Sequence, residues 1–273
     1  MSKWANFIRP LMPILSAIYG FLLIYVTAMP MADGSGTIGA EAVSWMLTLA
    51  AIVLTYFLVK RVEPRVFPGA SHFSLKFPAL TVAAGLLLMA PLWMVVEGGT
   101  VYGLTSLMQD IQLEPITYTP DELREDLLSG IHAVLLAPVL EELCYRQLAI
   151  SPFKRRGSQV IVCVVMALLF GSLHVRNFPG AFLSAMVYGL VFIWSRNIWY
   201  AILLHAGHNL TATLLAVYCA SGLGELQMSK TPVIILPDTK VIIASALTTL
   251  IGLSLILKHK AHNKSKKRPD KVV

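Results

Sequence analysis

The sequence predicts an all-α protein, a polytopic membrane bundle of about eight transmembrane helices with both termini cytoplasmic. Three observations predict it. Of 273 residues, 56% are hydrophobic and only 14% are charged, whereas soluble domains carry about a quarter charged residues. Several apolar runs reach roughly 17 to 21 residues, enough to cross a ~30 Å hydrocarbon core at helical rise. Lys and Arg also cluster in alternate loops, the pattern expected when basic loops stay cytoplasmic.

The spans follow in order. Residues 11–29 exceed the apolar core of a signal peptide and no A-x-A site follows, so they read as a first span. Residues 41–59 end at the basic Lys60, Arg61 and Arg65, and 78–96 begin at Pro78 after Lys76. Residues 97–127 read as an external loop with several acids and two prolines. Its end, TPDELREDL, has a helix-start signature: Thr119 as N-cap, Pro120 in the first turn, then Asp121 and Glu122 at the positive end of the helix dipole. The fourth span, 128–149, is therefore expected to begin near residue 120 as a longer helix. The turn Lys154–Arg155–Arg156 precedes span 159–175, and Arg196 separates spans 179–195 and 198–218. Residues 240–257 form the last span.

These spans make one bundle over 1–258, followed by a basic cytoplasmic tail over 259–273. The stretch KHKAHNKSKKRPDKVV carries seven Lys or Arg and accounts for much of the net charge of +7. Juxtamembrane basic segments are ordinary, so the tail reads as a solvated segment beside the bilayer, and no nucleic-acid partner is expected. Cys144, Cys163 and Cys219 lie inside spans without metal or redox spacing and read as packing residues. Ala181, Ala185 and Gly189, four apart, allow close helix approach.

Ionisable groups inside such spans usually mark a site. In EELCYR, Glu142 and Arg146 are four apart and share a helix face, so they are expected to pair. Glu141 lies about 100° further round and faces a different neighbour. Two adjacent carboxylates in low dielectric repel, which favours a proton on one of them, as general acid–base catalysis requires. FGSLH supplies His174, and HAGHN supplies His205, His208 and Asn209. From the cytoplasmic turns, helical rise places Glu141 and Asn209 at roughly 20 Å, His174 at roughly 25 Å and His205 at roughly 14 Å. Three helices thus deliver polar groups to a common depth. His132 falls nearer the external surface, as an interfacial or supporting residue. A Glu with His residues suits water activation, by direct deprotonation or through a zinc held by Glu and His. Asn209 and a histidine would then stabilise an oxyanion.

EELCYR resembles the EExxxR motif of the CPBP family of CAAX proteases and bacteriocin-processing (Abi) enzymes. FGSLH resembles its FxxxH motif and HAGHN its HxxxN motif, in the same order, over about residues 128–215. The resemblance implies an intramembrane endopeptidase acting on a membrane-embedded or membrane-associated protein or peptide. It implies Glu141 as catalytic base, Glu142 and Arg146 as its supporting pair, and His174, His205 and Asn209 completing the site. Both glutamate and metal mechanisms have been described for the family. The expectation here is metal-free activation by Glu141 with no cofactor; the alternative is zinc on Glu141, His174 and His205. Two further readings compete: a non-catalytic binding or immunity protein that keeps EExxxR as a structural lock, and a proton-relay transporter. Against the latter, neither an internal repeat nor a pair of broken spans is visible.

Overall fold

The computed structural model describes residues 3–28, 38–66, 77–224, 226–230 and 233–266. Nine α-helices run through these residues: α1 (Lys3–Ala28), α2 (Ile38–Val66), α3 (Leu80–Ser106), α4 (Pro120–Leu135), α5 (Ala137–Glu142), α6 (Arg156–Leu173), α7 (Phe178–Ser195), α8 (Ile198–Ala220) and α9 (Thr239–Lys266). They supply eight membrane-length apolar segments, because α4, α5 and a following π-helical turn (Leu143–Leu148) form one span, Pro120–Leu148. The chain is an integral, multi-pass membrane protein. Its outer faces present Ile14, Phe57, Ile161 and Leu250, each more than half exposed, as a helical bundle in lipid requires.

The fourth span starts where its cap chemistry places it. Thr119 accepts from the Glu122 N–H, and the Glu122 carboxylate accepts from the Thr119 N–H at 2.8 Å, a reciprocal capping box. The span then breaks. The last N–H of α4, that of Leu136, bonds His132 O, and α5 restarts at Ala137. Pro138 is the cause: it has no N–H to continue the ladder.

The expected loop over 97–127 is shorter than the sequence suggests. The helix α3 continues through Glu97, Gly98 and Gly99 to Ser106. Gly99 and Gly103 face open space, and Thr100 returns a hydrogen bond to Val96 O at 2.7 Å. A three-stranded antiparallel sheet, unforeseen from the sequence, joins the loops: β1 (Glu114–Pro115), β2 (Gln227–Lys230) and β3 (Val233–Leu236), in the order β1-β2-β3. Residues 259–266 of the expected tail are the end of α9, and 267–273 lie outside the described residues.

The core sits between α5, the π turn, α6, α7 and α8, around Leu140, Tyr145, Phe170, Tyr188 and Phe192. Small residues set the helix spacing. A Cβ on Gly189 would strike the Cys163 sulfur, so α7 lies directly on α6. Cys144 and Cys163 are buried free thiols, in keeping with a packing role. Another close approach is backbone against backbone. Gly85 of α3 and Gly252 of α9 face one another, and an added Cβ on either would sit 2.7 or 2.5 Å from the other's carbonyl oxygen.

Candidate active site

The π turn begins immediately after Glu142 and carries Arg146. Such turns widen the helix and recur at functional sites. Glu142 is fully buried, and its Oε1 lies 3.0 Å from Arg146 Nη1, the one-turn pairing expected from the sequence. The second arm of Arg146, Nη2, donates to Ala185 O on α7 at 2.9 Å. The guanidinium also lies 5.7 Å from the Phe170 ring centre and 5.8 Å from that of Tyr188. A buried cation thus meets a carboxylate, a carbonyl and two aromatic faces, which together compensate its desolvation.

His205 of α8 reaches across to both glutamates. Its Nδ1 is 3.0 Å from Glu142 Oε1, and its Nε2 is 3.7 Å from Glu141 Oε2. A carboxylate only accepts, so the Glu142 contact places a hydrogen on Nδ1. The ring of Tyr188 stacks on His205 at 4.8 Å and 19°, and Phe170 stands edge-on to it at 6.1 Å. Glu141, Glu142, Arg146 and His205 are therefore one cluster.

Asn209 lies one turn further along α8, and its Nδ2 donates to Ala133 O at 2.6 Å. That carbonyl follows the last one bonded within α4, so the Asn209 amide caps the break caused by Pro138. His174 is placed differently. It ends α6, is exposed, and its Nδ1 lies 2.9 Å from Phe170 O. It remains within electrostatic reach of Glu141, and its ring leans on Phe170 at 4.5 Å. His132 is buried, with Nε2 2.9 Å from Thr48 Oγ1.

Glu141, His174 and His205 are the set that would hold zinc. Among the described residues, no three His, Cys, Asp or Glu side chains group closely enough to hold a metal ion, so no reaction step is routed through one.

Two contributors were missed in the sequence. Tyr188 carries no charge, and nothing local links it to His205. Glu97 was assigned to a loop, yet it is buried in α3 against Ser184 and His208. The one-turn spacing of Trp93 and Glu97, continued by the buried Val101, was the available signal.

The family model Type II CAAX prenyl endopeptidase Rce1-like matches residues 124–211. This segment holds every candidate site residue, from Glu141 to Asn209. No curated protein and no solved structure gives a significant match to the chain. Over this segment, about a third of the chain, the protein is similar to the type II CAAX prenyl endopeptidases.

Proposed function

We propose that the chain is an intramembrane endopeptidase that hydrolyses a peptide bond of a membrane-associated or lipid-proximal protein, using water activated by Glu141. One observation carries this reading: the two adjacent glutamates are treated differently. Glu142 is tied to Arg146 and His205 at 3.0 Å each, whereas among the described residues the ion-pair contact of Glu141 is the longer 3.7 Å approach to His205 Nε2. A gap of that length suits a bridging water.

In the proposed reaction Glu141 takes a proton from water as the water oxygen bonds to the peptide carbonyl carbon. The carbonyl electrons move onto oxygen, giving a tetrahedral oxyanion. Collapse breaks the C–N bond, and the proton on Glu141 passes to the leaving amine. Glu142 and Arg146 hold the Nδ1–H of His205 and so aim its Nε2 at the reacting region. The second amide hydrogen of Asn209 is the proposed donor to the oxyanion, and His205 is a second donor only once its Nε2 has also taken up a proton. The Lys and Arg distribution supports both termini facing the cytoplasm.

The test compares protein termini in membranes from cells expressing the native chain or Glu141→Gln at matched levels. A new terminus found only with the native chain identifies the substrate and assigns the role to Glu141. Identical termini, with both chains folded and the native phenotype kept in the mutant, would favour the non-catalytic lock built on Glu142 and Arg146.

A further inference from the structure

A second polar group is buried between α3, α7 and α8, beside the charged cluster. Trp93 and Glu97 lie one turn apart on α3; Ser184 and Tyr188 lie one turn apart on α7. Trp93 Nε1 donates to Ser184 Oγ at 2.9 Å. The serine hydrogen then goes to Glu97 Oε2, in a short hydrogen bond. Tyr188, four residues after Ser184, shares its face of α7. From α8, His208 brings Nδ1 to 3.7 Å from Glu97 Oε2, with its ring edge-on to Tyr188 at 6.5 Å. Gly180 closes the remaining side, since an added Cβ would sit 2.5 Å from Glu97 Oε1. Among the described residues no Lys or Arg pairs with Glu97, in contrast to Glu142.

We propose that Glu97 is a positioning residue for His205, acting through Ser184 and the ring of Tyr188. The catalytic consequence rests on the protease reading; the geometric one does not. His205 must aim two nitrogens at two carboxylates. Its one close hydrogen bond, at Nδ1, leaves the imidazole able to rock about that contact. The stacked Tyr188 ring limits the rocking, provided that Tyr188 is itself held. It stands one turn from Ser184 on the same helix face, and Ser184 is oriented by a donor (Trp93) and an acceptor (Glu97) from α3. Close approach of α3 to α8 makes this reach possible: a Cβ on Gly207 would lie 2.7 Å from Ala90 Cβ. The helix α3 lies outside residues 124–211, so the family-like segment takes a support from elsewhere in the chain.

The test modifies the full-length protein with diethylpyrocarbonate and reads His205 and His132 separately by mass spectrometry. Glu97→Ala is expected to raise the His205 rate several-fold and leave His132 unchanged, and Glu97→Gln, which keeps an acceptor for Ser184, is expected to reverse most of the rise. On the substrate identified from membrane termini, Glu97→Ala is expected to lower kcat about tenfold with little change in KM, as misplacement of a reacting group does. Glu97→Ala and Tyr188→Phe are expected to be non-additive, since they interrupt one chain of contacts. An unchanged His205 rate, an equal rise at His132, or strict additivity overturns the proposal. No cleavage by the native chain overturns the protease reading, and the labelling still decides whether Glu97 holds His205.

Discussion

Glu142 and His205 are joined through a single oxygen, Glu142 Oε1, which also takes the arginine. Nδ1 of His205 and Nη1 of Arg146 each lie 3.0 Å from it, while Oε2 has no hydrogen-bond partner among the described residues. Because Arg146 also reaches Ala185 O, this oxygen ties the fourth span to α7 and α8 at once. The same contacts that orient the imidazole therefore hold three helices together.

The first prediction concerns that tie. Arg146→Ala leaves Glu142 as a buried carboxylate without its cation. Breaking a buried pair from one side costs about 3–5 kcal/mol, because the remaining charge stays desolvated. Arg146→Lys keeps the charge, but one compact ammonium does not reproduce the fork that spans Glu142 and Ala185 O, so an intermediate loss is expected. Unfolding in detergent measures both. A native midpoint in Arg146→Ala would show that the pair contributes nothing to the fold.

Asn209 is expected to affect stability as well as activity. Its amide caps a carbonyl released at the Pro138 break, and an unmet polar group costs about 1–3 kcal/mol. Asn209→Ala should therefore lower the unfolding midpoint and slow cleavage. Asn209→Asp, which lacks the donor at nearly equal size, should destabilise similarly. A residue acting only at the oxyanion would slow cleavage and leave the midpoint unmoved.

How much of this was legible depended on distance along the chain. The Glu142–Arg146 pair and the Thr119–Glu122 box are local, and one-turn spacing or cap chemistry reveals each. Glu97 defeated the same logic, since the Gly98–Gly99 pair that follows it reads as a helix end. Helix packing overrides that local preference here, because Ser184 and His208 meet the carboxylate only if α3 continues. The depth comparison brought His205 near Glu141, but spacing within α8 does not say which neighbour each ring nitrogen meets. The Ala181–Ala185–Gly189 stripe was visible as packing; its added role, an Ala185 carbonyl for Arg146, was not.

A pH-dependent contribution is expected at the start of α9. Asp238 accepts from the Val241 N–H at 2.9 Å and from the Tyr218 hydroxyl at 2.8 Å. The backbone hydrogen bond from Val241, and then that from Tyr218, hold its carboxyl below the ordinary aspartate range. With the folded value depressed, the stabilisation is present above the unfolded value and lost as pH falls through the folded one. The native chain should thus unfold at a higher temperature than Asp238→Ala near neutral pH, and the difference should shrink in acid. Exposure keeps the effect small, and a difference that stays constant with pH would refute the assignment.

The Gly85–Gly252 contact should be the least forgiving place in the bundle. At most close approaches a side chain can swing aside, but here each added Cβ meets a backbone carbonyl, at 2.7 and 2.5 Å. Relief requires α3 and α9 to separate, with loss of the small-residue packing that holds helices together in lipid. Gly252→Ala is expected to cost about 1–3 kcal/mol, in the range for overpacking, and Gly252→Leu to detach α9 from α3. Because α3 also carries Trp93 and Glu97, detachment should reach the active site. Cross-linking between cysteines placed on α3 and α9 reads the separation directly. Efficient cross-linking in Gly252→Leu at the native rate would show that the helices do not rely on this contact.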